Sequence, residues 1–195
     1  MNVGRLVLRG VVGPLFVGHG TQKLFGWFGG HGLEGTAGFF ENLGLRPGKR
    51  HATAAGWSEA AGGALLTLGA FTPLAQAMVT GTMVTAIRKV HAPKGPWVTE
   101  GGYEYNLTLI ALTAALTETG PGRPSLDSAL FGDKLKGKGW ALAALAAGVA
   151  GSYLVTERLV EPEPALADVG MDDPSLADQP RFERETETET AQQNA

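Results

Sequence analysis

HATAAGWSEAAGGALLTLGAFTPLAQAMVTGTMVTAI, residues 51–87, holds one formal charge, Glu59, in 37 positions. A hydrocarbon core of about 30 Å takes about 20 apolar helical residues per crossing, so this run is long enough to cross twice. The break falls at Thr72-Pro73. Threonine is a good N-cap, and proline at the first helical position gives up only an amide the helix does not use. The pattern predicts a tight helical hairpin, one helix over roughly 47–71 and the next over roughly 73–90, joined by an uncharged turn.

Two shorter apolar runs flank the hairpin. Thirteen uncharged residues separate Arg9 from Lys23, and another thirteen separate Glu104 from Glu118. Thirteen residues span about 20 Å, short of a bilayer on their own. Beside the hairpin they read as membrane helices whose polar ends snorkel or face protein. A fifth run, Gly139 to Thr156, has 18 residues without a charge and is flanked by Lys134, Lys136, Lys138 and Arg158. The expected fold is all-α: a polytopic membrane helical bundle of four core transmembrane helices over 1–125, a linker and fifth C-terminal helix over 126–160, and a disordered acidic tail over 161–195. Arg5 and Arg9 precede an apolar stretch, as in a signal peptide, but no A-x-A-like cleavage site follows, so the first span is read as uncleaved.

The whole-chain averages hide this division. Over 195 residues the net charge is −3 and the mean hydropathy +0.01, as in an ordinary soluble domain. Residues 161–195 carry ten acidic against two basic side chains, a net −8, and the remaining 160 residues carry nine against fourteen, a net +5. The tail, with Pro162, Pro164, Pro174, Pro180 and a Glu-Thr repeat, lacks the apolar surface to offset its ordering entropy. The charge balance argues against a nucleic-acid binder. With no cysteine, the chain has no disulfide, thiol redox centre or Cys-ligated metal. The 29 glycines suit close helix packing: Gly56, Ala60 and Ala64, and likewise Ala55, Glu59 and Gly63, recur every four residues on the second helix.

Four sequential crossings bring the 27–50 and 91–103 connections to one face, together with Lys23, Phe39, His51, His91, Tyr103 and Glu104. A ligand site is expected on or beneath that face. Thr36 is expected to N-cap a short interfacial helix ending at Leu43, with Gly44 as its stop. On the first helix, Arg9, Gly13, Phe16, Gly20 and Lys23 share one stripe that should face the bundle, with His19 nearby. Glu59, in the middle of the second helix, needs a partner, and Arg9 is the expected one. That pair reads either as a structural clamp or as a protonatable group in a proton or ligand path. Haem ligation by His19 and His91 is disfavoured because His91 sits at a helix end. A mononuclear metal site from His19, His51, His91 and Glu104 also ranks below plain helix-end capping. No P-loop or GxGxxG spacing is present.

Several separated motifs agree in order: Arg9, Gly13, Phe16, His19-Gly20, Lys23-Leu24-Phe25-Gly26, Gly35-Thr36-Ala37-Gly38-Phe39-Phe40, Gly56, Glu59, Gly62-Gly63, His91 and Lys94-Gly95. Over residues 4–125 the chain resembles DoxX-type membrane proteins. The resemblance implies a four-helix bacterial integral membrane fold in the cell membrane. The family takes its name from a subunit of a thiosulfate:quinone oxidoreductase, and its members often carry a provisional oxidoreductase label. The fifth helix and acidic tail are additions to that pattern. Under the resemblance, candidate ligand-binding residues are Arg9, His19, Lys23, Phe39, Glu59, His91, Tyr103 and Glu104. Arg9, His19, Lys23 and Tyr103 would serve as donors to a quinone, and Phe16, Phe25 and Phe39 would line an apolar cleft. Electrons would come from a partner, such as a soluble redox protein, or from a bound cofactor, which makes the chain a membrane component of a redox or stress-response assembly. The competing readings are a non-enzymatic membrane scaffold that recruits soluble partners and a small-solute carrier. Positive-inside counting does not choose an orientation.

Overall fold

The structure, a computed structural model, describes residues 2–132 and 134–161. The expectation for the acidic tail lies outside them, Glu161 aside. Seven α-helices follow in order: α1 (Val3–Phe25), α2 (Gly32–Asn42), α3 (Gly48–Leu68), α4 (Thr72–Ala86), α5 (Glu104–Thr119), α6 (Leu126–Leu130) and α7 (Lys138–Tyr153). A π-helical turn extends α4 through Ile87–His91, and another extends α7 through Leu154–Arg158. No strand occurs among the described residues.

Helices α1 and α3 run antiparallel and interlock along their small residues. A Cβ on Gly20 would stand 2.4 Å from the Ala60 amide nitrogen and 2.5 Å from the Gly56 carbonyl oxygen. One on Gly13 would meet Thr67 Oγ1 at 2.2 Å and the Gly63 carbonyl at 2.8 Å. Only glycine permits this approach, which brings the two backbones into direct contact. The expected stripe on α1 does face the bundle: Arg9, Gly13, Phe16 and Gly20 are buried. Helix α4 packs against α3, α5 and α7. Val12, Phe16, Leu66, Ala75, Val79, Met83, Leu109 and Leu116 form the apolar core between these helices.

The bundle has two ends. At one end α3 stops at Gly69 (φ 59°) and α4 starts. Asp127 of α6 covers that start: its carboxylate accepts the Phe71 amide at 2.6 Å, the Thr72 amide at 2.9 Å and the Thr72 hydroxyl at 2.6 Å. This corrects the expectation that Thr72 caps α4. Thr72 is the first helical residue, its hydroxyl donates, and a distant carboxylate takes the amides that α4 leaves unpaired. At the other end lie α2, both π turns and the 92–103 connection. The Glu161 amide donates to the Arg46 carbonyl there (2.8 Å).

Helix boundaries fall within three residues of the expected ones for α3 and α5, and for α4 once its π turn to His91 is included. Helix α2 differs: it begins at Gly32, so Thr36 is buried inside it rather than capping it, while Gly44 (φ 75°) follows its end as expected. One described helix, Lys138–Arg158 (mean hydropathy 1.4), is long and apolar enough by itself to cross a membrane. Helices α4 and α5 are short, and α1 and α3 are diluted by glycine and charge.

Candidate functional site

A cavity of about 540 Å³ opens between α2, α3, α4 and α7. Helix α2 contributes Phe39 and Phe40, and the turn after it Leu43 and Leu45. Small residues on three helices make the space: Ala54 and Ala55 on α3, Ala77 and Gly81 on α4, Ala147, Gly148 and Gly151 on α7. Helix α7 can form this wall because Gly148 lies directly on α4; a Cβ there would be 2.5 Å from that of Thr80 and 2.7 Å from the Ala77 carbonyl.

Polar groups stand at a few points of this apolar wall. Lys23 Nζ, from the last turn of α1, donates to Glu59 Oε2 at 2.5 Å. The pair is largely shielded, with the Glu59 side chain 9% exposed and that of Lys23 26%. Both residues line the cavity, and no hydrogen bond from the described residues engages Glu59 Oε1. This corrects the expected Arg9–Glu59 pair. Arg9 and Lys23 share one stripe, but fourteen residues of helix, about 21 Å, separate them. Antiparallel packing sets Lys23 beside Glu59 and carries Arg9 to the far end. There its guanidinium donates to the carbonyls of Leu66 (3.3 Å), Thr67 (3.0 Å), Pro121 (3.0 Å) and Pro124 (2.8 Å).

Two histidines add to the polar lining, beside Ser58, Thr82, Thr85, Lys89 and Ser152. His51 is buried and bonds the Arg46 carbonyl through Nε2 (3.3 Å), and His91 bonds the Gly101 carbonyl through Nδ1 (2.7 Å). A carbonyl only accepts, so each of these nitrogens carries its proton, leaving His51 Nδ1 and His91 Nε2 for other partners. His91 is positioned by the π turn of α4, which also gives Lys89 and Val90 to the cavity. That turn is fastened to the π turn of α7. Arg88 donates to Thr156 Oγ1 (2.8 Å), pairs with Glu157, and lies over the Tyr153 ring at 3.7 Å.

Of the eight candidate residues, the cavity gathers Lys23, Phe39, Glu59 and His91. Arg9 is at the opposite end. His19 is exposed and bonds Gln22 (3.1 Å), Tyr103 is held by its amide on the Gly95 carbonyl, and Glu104 accepts the Val98 amide (2.9 Å). His19, His51, His91 and Glu104 thus each have a separate local partner. No three of His, Asp or Glu among the described residues are grouped to share a metal ion. Phe16 is in the core, and Phe25 lies outside against Trp27 and Trp57, so neither lines the cavity. The sequence reading passed over the α7 wall, Ser58, Met78, Thr82 and Thr85, which become neighbours only through helix packing.

A family model described as DoxX matches residues 4–92, from α1 through the π turn of α4. The Bacillus subtilis (strain 168) protein named "Putative oxidoreductase CatD" is 32% identical over 136 residues, which is 70% of this chain and 93% of that protein. No solved structure is significantly similar. The cavity floor of α1, α2, α3 and α4 falls within the matched residues, and on both comparisons the chain belongs to the DoxX family.

Proposed function

We propose that this protein is a multi-pass component of the cell membrane in which the cavity binds a quinone-type ring as part of a redox system. The observation that carries the reading is the cavity itself. It is apolar, large enough for a ring and the first part of its tail, and bears a carboxylate–ammonium pair and two histidines at a few points. A few convergent polar groups in an apolar pocket are what orient a small ligand. Reduction of a quinone to its quinol takes up two electrons and two protons. In this reading the Lys23–Glu59 pair gives a proton to one ring oxygen, and His91 Nε2 or His51 Nδ1, in the imidazolium form, gives one to the other. The electrons come from an external donor, which we take to be a soluble redox protein docking at the cavity end. The oxidoreductase name of the Bacillus subtilis relative supports a redox role.

The membrane reading rests on inverted polarity. Val3, Val7, Val11 and Leu15 form an exposed stripe along α1, and Leu107, Leu112, Leu142 and Val149 extend the exposed apolar surface on α5 and α7. The interior holds Arg9, Glu59, Gln76, Thr80, Thr113 and Asp127. Lipid, unlike water, tolerates that exterior. Exposed Phe25, Trp27, Phe28, Trp57 and Trp97 at the cavity end suit a headgroup interface. With their π turns, α4 and α7 reach about 30 Å, matching α1 and α3.

Two experiments test the reading. Binding of decylubiquinone to the purified chain in maltoside detergent, followed by equilibrium dialysis, is expected to saturate at one per chain. Glu59→Gln or Lys23→Met is expected to weaken it about tenfold or more, the value of one charge-assisted hydrogen bond. No saturable binding, or equal affinity in both variants, overturns the quinone assignment. The native chain has no cysteine, which makes topology direct to measure. Thr99→Cys and Lys134→Cys are expected to react with an impermeant maleimide from opposite sides of a sealed vesicle. Labelling of both from one side overturns the multi-pass arrangement.

A further inference from the structure

At the end of the bundle away from the cavity, a second hollow of about 300 Å³ lies between the start of α1, the end of α5 and α6. It is polar where the first cavity is apolar. Arg5, Arg123 and Lys136 line it, with the Ser128 hydroxyl and the Gly120–Gly122 backbone. The side chains of Arg5 and Arg123 make no hydrogen bond or ion pair in the described structure, and the stem of Arg5 lies against Gly122 (a Cβ there would be 3.3 Å from Arg5 Cδ). Asp127, the one acid among the described lining residues, is already committed. Its two oxygens take the Phe71 and Thr72 amides and the Thr72 hydroxyl, and Arg9 attracts it from behind. The Arg5 and Arg123 guanidinium groups therefore present positive charge without a described partner in a concave, partly shielded setting.

Its surroundings are apolar. Helix α6, which gives Ser128 to the hollow, exposes Leu126 and Leu130, and beside it Phe71 and Phe131 stack at 5.5 Å. Trp140 is exposed nearby, with its indole nitrogen donating to the Lys134 carbonyl (2.8 Å). Cations around a hollow, bordered by exposed leucines and aromatics, match a phosphate with acyl chains attached.

We propose that this hollow is a binding site for an anionic phosphate diester, the headgroup of an anionic phospholipid, held by Arg5 and Arg123 while its chains lie along Leu126 and Leu130. Guanidinium forks suit phosphate oxygens, and basic pockets between helices are a common form of headgroup site. The lipid source rests on the membrane reading above; the phosphate chemistry does not.

The test uses the full chain in uncharged maltoside detergent with three soluble probes: dihexanoyl-phosphatidylglycerol, dihexanoyl-phosphatidylcholine and inorganic phosphate. Calorimetric titration is expected to show phosphatidylglycerol binding about tenfold or more tighter than either other probe. The Arg5→Gln, Arg123→Gln double variant should lose at least about tenfold of that affinity. If the double variant does not fold, Arg123→Gln alone, at an exposed side chain, must still lose about threefold or more. Equal affinity for inorganic phosphate keeps the anion site and reassigns it to the free ion. Equal binding of the two lipids, or undiminished binding in the variants, overturns the proposal. The maleimide labelling is independent of these titrations, so a failed lipid site and a failed membrane topology give different results.

Discussion

Gly20→Leu yields no folded protein, whereas Gly18→Leu, two residues earlier on the same helix, leaves the unfolding temperature within about 3 °C of the parent, a change of about 1 kcal/mol. The contrast follows from what each Cβ would meet. At Gly18 there is nothing within 4 Å. At Gly20 the new atom would sit 2.4 Å from the Ala60 nitrogen, 2.5 Å from the Gly56 oxygen and 2.7 Å from the Ala60 Cβ. Two of the three are backbone atoms of a helix and cannot rotate away. The alternative is to separate α1 from α3. That opens the Gly13–Gly63 contact, loosens Phe16 and pulls Lys23 from Glu59. Overpacking that side chains can absorb costs about 1–3 kcal/mol; here no side chain is available to absorb it. The measurement is the yield of monodisperse protein in detergent and its thermal unfolding, with Gly20→Ala as a milder step expected to purify with a lowered unfolding temperature. Gly20→Leu with the parent's unfolding temperature would mean that the two helices do not interlock.

That seam was legible in the sequence, because recurring small residues on two helices leave few ways to use so much glycine. The helix spans were also legible, since 37 residues with one charge and a Thr-Pro break permit little else. The partner of Glu59 was misread for a geometric reason. Arg9 and Lys23 lie on one stripe, and periodicity alone does not choose between them. The choice follows from aligning the glycines of α1 and α3 antiparallel: Gly13 then falls beside Gly63 and Thr67, Gly20 beside Gly56 and Ala60, Lys23 near Glu59, and Arg9 near the end of α3. That signal was in the sequence, as a register between two stripes.

Other features left no local trace. Asp127 caps a helix that starts 55 residues earlier, and an isolated acid after Ser125 reads as loop chemistry. The α7 wall is a tertiary product: Gly148 and Gly151 read as dilute apolar sequence until α4 is placed against them. His51, buried and lining the cavity, read as a helix-end cap because its depth depends on how α2 folds back over α3. Half of the candidate residues gather at the cavity because the connections that carry them converge on one end. Of the others, His19, Tyr103 and Glu104 stand near the same end but bond groups within eight residues of themselves, and Arg9 is carried to the far end of α1.

Arg9→Met destabilises the bundle by about 4 kcal/mol or more while leaving ligand affinity per folded molecule unchanged. Arg9 is 4% exposed and its guanidinium serves four carbonyls, two at the end of α3 and two in the segment between α5 and α6. A helix ends with carbonyls that lack intrahelical partners; here the Arg9 guanidinium takes that of Thr67 and adds a second bond to that of Leu66, which also accepts the Gly69 amide (3.1 Å). Each buried acceptor left unmet costs about 1–3 kcal/mol, and Asp127 loses the cation that attracts it. Against a typical stability of about 5–15 kcal/mol that loss is large. Arg9→Lys keeps the charge but offers one compact ammonium where a planar fork spans two segments, so about half of the loss is expected to remain. Combining Arg9→Met with Asp127→Asn should cost less than the sum of the two by about 0.5–3 kcal/mol, because the groups share one network. Chemical unfolding in mixed micelles measures all four variants, and the quinone titration separates stability from binding. Glu59→Gln weakens binding at the cavity; Arg9→Met, at the opposite end of α1, reduces only the fraction of chain that folds. If Arg9→Met instead shifts ligand affinity in the folded fraction while stability holds, Arg9 belongs to the ligand path, and the carbonyl clamp is not its main role.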